Sequence, residues 1–372
     1  MKRILLVLLC VCGMLLIGAP VSAETAEEIY AASGAEELEL DAETQQFLDE
    51  QGVSFAEPES LLTLSPKAML EAMLETLRAQ LAAPLKLAGT LGVVILLAAL
   101  TGSAGDTAVN RSLTQMFEML CVLVCVTVLT APVQACFTLA ADTLRQGGDF
   151  MLTFVPVFAT VAAASGAPVT ASAYHLVVLS IAEVTVQIAD LVLMPLLNMM
   201  LALSIVDAVH PALSLSGLLS GIRKCVTWCL GLMMALVTGL LSVQGIVAGS
   251  ADQVGTKATK FMLSSCVPVV GSAVSDAYGT VSGSVGVIRS GIGGVGVLAM
   301  ASMILPPLLL LVLYRLCFAG AGLLADVLDV APLRRLLQNL QQTLSLALGV
   351  LACFSFMLLL ATALVMLLCG RG

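Results

Sequence analysis

Long apolar runs separated by short polar loops fill the chain from about residue 85 onward. A helix needs roughly 20 apolar residues to cross a bilayer core of roughly 30 Å. We predict a membrane-spanning helix in each of these segments: about 85–104, 113–140, 174–206, 225–249, 291–317 and 344–369. The pattern therefore predicts an all-α, polytopic membrane protein.

Two further apolar stretches, 150–172 and 261–287, contain residues that interrupt a helix. Pro156 falls inside the first stretch, and Pro268 and Gly271 fall inside the second. Proline removes a backbone donor and clashes with the preceding turn, whereas glycine loosens the backbone. Within lipid, such a break is tolerated only where protein or water satisfies the freed groups. We therefore predict two re-entrant helical hairpins; hairpins that cross the membrane fully are the alternative.

The first stretch has a second break, at Gly166-Ala167-Pro168, and charges flank the break of the second stretch. Those flanking charges are Asp252, Lys257, Lys260 and Asp276. Discontinuous helices in corresponding positions of a repeat are the best sequence indication of a transporter-like site. The two stretches are thus the first candidates for function.

Similar contexts surround the two prolines, which indicates an internal duplication. Residues 150–157 read Phe-Met-Leu-Thr-Phe-Val-Pro-Val, and residues 261–269 read Phe-Met-Leu-Ser-Ser-Cys-Val-Pro-Val. Other landmarks recur about 111 residues apart in the same order. We predict repeat units at about 106–206 and 207–317 within a membrane domain of residues 83–372, which ends with an amphipathic helix and span at 333–369.

The N-terminal part differs from the rest of the chain. Residues 1–23 combine Lys2-Arg3, an apolar run and a small-residue end at Ala23, which is the pattern of a signal peptide. An uncleaved first span is the alternative. Residues 24–82 contain fourteen acids and two bases, and we predict a small acidic helical segment outside the cytoplasm. A mobile acidic arm over 24–55 is the alternative for its first half.

Composition and charge exclude a soluble domain and a nucleic-acid-binding protein. The 372 residues are 59% hydrophobic and 11% charged, whereas soluble domains carry roughly 25% charged residues. The formal charge of −9 arises from residues 24–82, so the remainder is close to neutral and has no basic footprint for nucleic acid. The lipid bilayer is the expected environment.

Basic residues indicate how the chain is oriented. We start the chain outside the cytoplasm and let each hairpin return to the face that it entered. Arg111, Arg223-Lys224 and Arg334-Arg335 then all fall in cytoplasmic loops, as the excess of positive charge in such loops requires.

The predicted helix 174–206 carries polar residues on one face. Glu183, Gln187 and Asp190 follow one another at i, i+4 and i+7 in an otherwise apolar helix. An acid at the bilayer centre costs roughly 2.5–3.5 kcal/mol, so such residues pair with one another or face water. Arg315, late in the matching helix of the second unit, is a candidate partner. A structural seam between helices and a water-lined path both fit the pattern.

The chain carries no motif of an enzyme or a metal site. It lacks G-x-S-x-G, H-E-x-x-H and a Walker A sequence. Its eleven cysteines include no C-x-x-C pair, so we expect them to pack as small apolar residues. Gly279 and Gly283 have the G-x-x-x-G spacing of close helix packing or of contact between subunits in a homo-oligomer. We predict a non-enzymatic protein without a cofactor.

The sequence resembles the stage III sporulation protein AE family of endospore-forming bacteria. The resemblance rests on Ala251-Asp252, Lys257, Lys260, the stretch 267–277 (Val-Pro-Val-Val-Gly-Ser-Ala-Val-Ser-Asp-Ala) and the glycine-rich continuation to Pro306. The signal peptide, acidic leader and polytopic body extend it over nearly the whole chain. The chain departs from the family at Val270-Gly271-Ser272, where the family has a sequence similar to Ile-Gly-Gly.

The resemblance implies a membrane component of the channel between mother cell and forespore, a secretion-like apparatus that supports late forespore gene expression. The implied partners are the other membrane proteins of the stage III sporulation A operon and a protein of the forespore membrane. The implied location is the mother-cell membrane around the forespore, with the N-terminal segment in the intermembrane space. A secondary transporter for a small solute is the rival hypothesis, and neighbouring genes for an ATPase and small membrane proteins would favour the channel.

Overall fold

The computed structural model describes residues 80–103, 108–164, 167–209, 215–266 and 271–369, besides Gln45 and Arg78. These residues form helices and short turns and include no strand. The elements are α1 (Ala82–Ser103), α2 (Ala108–Ala164), α3 (Pro168–Ile188), a π-helical turn (Ala189–Leu193), α4 (Met194–Val209), α5 (Ser216–Cys266), α6 (Gly271–Val327) and α7 (Ala331–Cys369). The predicted all-α class is confirmed. The predicted signal peptide at 1–23 and almost all of the acidic segment at 24–82 lie outside the described residues.

In the described ranges, six helical segments are long and apolar enough to cross a membrane. They are Ala82–Thr101, Met116–Ala164, Pro168–Val209, Ser216–Gly255, Ile292–Val327 and Ala331–Thr362. The second segment has 49 residues, which is roughly 74 Å at the helical rise of roughly 1.5 Å per residue. Several helices therefore exceed a bilayer core of roughly 30 Å by a wide margin.

The prediction that Pro156 breaks the chain is wrong. Helix α2 continues through Pro132 and Pro156 as far as Ala164. An internal proline removes one backbone hydrogen bond, but neighbouring helices, side chains and local adjustment can satisfy the freed carbonyl in a membrane helix. The second predicted break, at Gly166-Ala167-Pro168, agrees with the structure, because α3 begins at Pro168 after a non-helical Ala167. Pro168 lies in the first turn of α3, where its missing N–H group has no helical partner to lose.

The long helix predicted at 174–206 is present and extends from Pro168 to Val209. One π-helical turn, Ala189–Leu193, interrupts its regular α-helical pattern. The amide of Met194 donates to the carbonyl of Ala189, five residues earlier. Because Pro195 follows immediately and has no N–H group, the wider turn lies where the regular ladder is already interrupted.

Helices α5 and α6 each combine elements that were predicted to be separate. The predicted span 225–249 and the polar residues after it belong to one helix, which ends at Cys266. The next helix starts at Gly271 and continues past the predicted end at 317 to Val327. Residues 267–270, between these two helices, are outside the described residues, so the break predicted from Pro268 and Gly271 stays a prediction. Whether this hairpin re-enters the membrane also stays a prediction.

Two pairs of long helices result, one before and one after the α4–α5 loop. The first pair is α2 and α3, and the second pair is α5 and α6. The correspondence between Pro156, which lies inside α2, and Pro268, which is outside the described residues, stays a prediction. The internal repeat stays a prediction.

Helix α7 is the central helix of the bundle. The amphipathic helix and separate span predicted at 333–369 are one helix of 39 residues, Ala331–Cys369. It contacts α3, α4, α5 and α6 as well as α2. Leucines and other large residues along its length are fully buried, among them Leu333, Leu344, Val350, Phe354 and Met357. Such burial explains why the N-terminal turns of α7 do not separate as a surface helix.

The end of α4 and the start of α5 both contact α7 at one end of the bundle. The Asp207 carboxylate, near the end of α4, accepts a hydrogen bond from the side-chain amide of Asn339 on α7, at 3.0 Å. Arg223, near the start of α5, donates to the Gln342 side chain on α7. The basic pairs at 223–224 and 334–335 thus lie at the same end of the bundle, which agrees with the prediction that they lie on the same side of the membrane. That this side is cytoplasmic stays a prediction.

Candidate functional site

An ion-pair cluster lies midway along α2, in the middle of an otherwise apolar helix. The Arg145 guanidinium donates from Nε to Asp190 Oδ2 at 2.9 Å, and its second contact is to Asp142 Oδ1 at 3.5 Å. The side chains of Arg145 and Asp142 are 54% and 60% exposed, whereas that of Asp190 is 28% exposed. Asp190 belongs to the π-helical turn, a feature that is frequent at functional sites.

The cluster continues along α3 on the exposed side of the bundle. Gln187 donates from Nε2 to Glu183 Oε1 at 3.2 Å, and both side chains are exposed. The prediction that Arg315 pairs with this face is wrong. Arg315 donates from Nε to Ser345 Oγ on α7, at 2.7 Å. Sequence reasoning missed Arg145, although Asp142 and Arg145 interrupt an apolar run at the i, i+3 spacing of an ion pair.

Two glycines let α2 approach its neighbours next to this cluster. A Cβ atom at Gly148 would lie 2.8 Å from Val186 Cγ2 on α3, which is too close for two carbons. A Cβ at Gly147 would meet Leu358 of α7 at 3.4 Å and Met300 of α6 at 3.7 Å. The ion-pair cluster is thus held on a tightly packed backbone, and its position is fixed by three neighbouring helices.

An aromatic ladder on α2 extends from this crossing towards the reversal at 165–167. The ring of Phe154 stacks on Phe150, with centroids 5.3 Å apart, and contacts Phe158 at 5.8 Å. Phe158 makes an edge contact with Tyr174 of α3 at 5.6 Å. The Phe154 ring also lies against Gly296 of α6, where a Cβ atom would overlap it. Close packing was expected for the glycine-rich stretch, and Gly296 provides one instance of it.

Asp252, predicted as a charge flanking the second hairpin, caps α3 across the bundle. Its Oδ1 and Oδ2 atoms accept hydrogen bonds from the amides of Val169 and Thr170, at 3.0 and 2.8 Å. Eight residues earlier on α5, Gln244 donates to the carbonyl of Ala173 at 3.3 Å. These contacts show that α5 runs antiparallel to α3 and holds its first turns.

Among the other predicted flanking charges, the structure describes the side chain of Lys257, which is exposed on α5. Lys260 and Asp276 lie in α5 and α6, and their side chains are outside the described residues. Within the described part of the chain, no group of three metal-ligating side chains is close enough to hold a metal ion.

The arrangement is suited to contact with water or polar groups. Exposed carboxylates and one guanidinium lie on adjacent faces of α2 and α3, where each candidate membrane span is otherwise apolar. Asp207 and Asp252 are used differently, because both oxygens of each accept hydrogen bonds that join helices.

Comparison with known proteins places the chain in a family. No solved structure matches it. A protein of Bacillus subtilis (strain 168) named stage III sporulation protein AE is 23% identical over 356 residues, which cover 85% of this chain and 89% of that protein. The family model described as stage III sporulation protein AE matches residues 58–369. Since the match covers most of the chain, the protein belongs to the stage III sporulation protein AE family.

Proposed function

We propose that the protein is a non-enzymatic, multi-pass component of the mother-cell membrane around the forespore. There it forms part of a secretion-like channel complex that late forespore development needs. The observation that carries this proposal is the family match over residues 58–369, in a chain whose described residues include six helices long and apolar enough to cross a bilayer. A sporulation protein with this architecture functions in a membrane of the sporulating cell.

The partners in this proposal are the other membrane proteins of the stage III sporulation A operon, a protein of the forespore membrane, and further copies of the chain. The acidic N-terminal segment lies in the intermembrane space, where it is available to the forespore partner. The basic ends of α5 and α7 then face the mother-cell cytoplasm.

Deletion of the gene tests this function directly. We expect a deletion strain to complete engulfment, to fail in late forespore gene expression, and to form few heat-resistant spores. A plasmid copy of the gene should restore both readouts. Normal spore yield and normal late expression in the deletion strain would overturn the proposal, and recovery upon adding a small solute would identify a transporter.

A further inference from the structure

Two arginines from different helices converge on one face of α7. The guanidinium of Arg223, on α5, donates from Nη2 to the side chain of Gln342. The guanidinium of Arg315, on α6, donates from Nε to Ser345 Oγ. Gln342 and Ser345 are three residues apart in α7, so they are neighbours on its surface, with roughly 5–6 Å between their Cβ atoms. The two positive charges are therefore held close to each other.

Neither arginine has an acidic partner in the part of the chain that the structure describes. The ion pairs found there belong to Arg145 and Arg334. The Asp207 carboxylate, held by Asn339 one turn earlier on α7, already accepts a hydrogen bond at each of its oxygens. Two guanidinium groups at close range repel each other at a protein surface. The pair therefore favours an anion that lies between its members.

The pair also has hydrogen-bond donors to spare. A guanidinium has several N–H donors, and each of these two makes one hydrogen bond within the described residues. Nε of Arg223 is buried and has no hydrogen-bond partner there. A buried charged donor without an acceptor is costly. The oxygens of a phosphate match the planar fork of a guanidinium, so phosphate is the anion that this arrangement fits best.

The arginines lie where three helices change from polar to apolar sequence. Arg223 lies two residues before the apolar run of α5 that starts at 225, and Arg315 lies two residues before the end of the α6 run at 317. The apolar run of α7 starts at 344, next to Ser345. Trp228, which is 71% exposed, follows on α5, and tryptophan is enriched between headgroups and hydrocarbon. These features place the pair at the headgroup level of the bilayer.

Beyond this level, the end of α6 and the start of α7 form a hairpin with exposed charges. Asp326 pairs with Arg334 at 2.7 Å, and its side chain is 54% exposed. Arg335 is exposed as well. Leu323 and Leu324 are exposed on the same hairpin, and a mixture of exposed charges and leucines is typical of helices in the headgroup region. The hairpin therefore lies outside the hydrocarbon, and the arginine pair lies at its inner edge.

We propose that Arg223 and Arg315 bind the phosphate of an anionic phospholipid between α5 and α6. The phosphate accepts hydrogen bonds from the spare donors and separates the two like charges. Trp228 and Leu316, both exposed near the arginines in sequence, provide apolar surface for the acyl chains. Basic pockets between membrane helices bind anionic headgroups in this way. The proposal depends on the membrane class of the chain and not on its place in a channel.

Unfolding of the delipidated full-length chain in neutral detergent tests the proposal. Phosphatidylglycerol should raise the midpoint of unfolding, because a ligand of the folded state stabilises it. Phosphatidylcholine, whose headgroup has no net charge, should leave the midpoint unchanged, as should inorganic phosphate at the same concentration. An equal rise with inorganic phosphate would overturn a lipid as the source of the phosphate. No rise with either anion would overturn the site itself.

Variants test which residues hold the lipid. Arg223→Gln and Arg315→Gln should each reduce the affinity for phosphatidylglycerol severalfold. Arg223→Lys and Arg315→Lys keep the charge but lose the fork of donors, so they should retain part of it. The control Lys224→Gln removes a charge next to Arg223 and should bind as the wild type does. An equal loss in this control would show diffuse attraction instead of a site, and would refute the assignment to the arginine pair.

Native mass spectrometry provides a test that needs no variant. The full-length chain is released from nanodiscs that contain phosphatidylglycerol and phosphatidylcholine in equal amounts. The proposal predicts that phosphatidylglycerol stays bound at collision energies that remove phosphatidylcholine. Loss of both lipids at the same energy would contradict it. Spore formation by a chain that retains no lipid would leave the proposed function intact, so the two proposals fail separately.

Discussion

The carboxylate of Asp252 on α5 accepts hydrogen bonds from the amides of Val169 and Thr170 in the first turn of α3. The first amides of a helix have no partner within it, and a negative charge there is favourable. Here the cap comes from a residue more than 80 positions away. It therefore fastens the reversal between α2 and α3 to the second pair of long helices.

Replacement of Asp252 by alanine should destabilise the protein by about 1 kcal/mol, within the range of roughly 0.5–2 kcal/mol for a lost helix cap. Asp252→Asn keeps an acceptor oxygen and should lose less. The measurement is the midpoint of unfolding by denaturing detergent. The neighbouring exposed residue provides the control, Gln253→Ala, and equal stability of Asp252→Ala and this control would show that the cap contributes nothing.

Gly296 should not tolerate a methyl group. The Phe154 ring occupies the position of a Cβ atom there, and it is held between Phe150 and Phe158. Overpacking of this kind costs about 1–3 kcal/mol, so Gly296→Ala should unfold at lower detergent concentration.

A second substitution and a matched glycine make this test specific. Phe154→Leu frees space, so the double variant with Gly296→Ala should be more stable than the sum of the two single effects. Gly320→Ala lies on the same helix with open space around it, and should be neutral or stabilising by up to about 1 kcal/mol. If both alanines behave alike, the Phe154–Gly296 contact does not limit packing.

The contact between positions 145 and 190 should require one basic and one acidic side chain, whichever helix carries the acid. Arg145→Asp places two acids together and should lower the amount of protein in the membrane, as should Asp190→Arg. The double exchange restores opposite charges across the same 2.9 Å contact and should recover much of the loss. Immunoblots of membrane fractions measure this. Asp142→Asn should change little, because that contact is longer and more exposed; a double exchange no better than the single variants would refute the pairing.

Helix α5 should cross the membrane completely. Lys224 and Lys257 are exposed on it and lie 33 residues apart, which is roughly 50 Å of helix. In a background whose native cysteines are replaced by serine, the thiol introduced by Lys257→Cys should react with an impermeant thiol reagent added outside the mother-cell membrane. The thiol introduced by Lys224→Cys should react only after the membrane is opened. Reaction of both from one side would mean that α5 does not span.

The sequence predicts the helical membrane class because that class depends on local composition. Of the two breaks predicted in the first stretch, the one at Gly166-Ala167-Pro168 agrees with the start of α3, whereas the one at Pro156 is wrong, because a proline alone does not decide whether a helix ends. Pro156 lies inside a helix packed by its neighbours, whereas Pro168 begins a helix after a non-helical Ala167. Periodicity cannot distinguish these cases, since the deciding contacts come from other helices.

The sequence likewise predicts only part of the candidate site. The i, i+4, i+7 spacing brings Glu183, Gln187 and Asp190 together on one side of the helix. The basic partner of Asp190 cannot be predicted from an internal repeat. The packing of α2 against α3 brings Arg145 to Asp190, whereas Arg315 donates to Ser345. The role of Asp252 is likewise a tertiary contact, which charge counting near Pro268 does not reveal.

Membership of this protein in a channel complex of the sporulating cell is most directly tested by co-purification. The tagged full-length chain is expressed from its own promoter, extracted from sporulating cells with mild detergent, and its companions are identified by mass spectrometry. We predict recovery of the other membrane proteins of the stage III sporulation A operon, and of untagged copies when both forms are expressed. Recovery of the tagged chain alone, under conditions in which a known membrane complex survives extraction, would contradict the proposal.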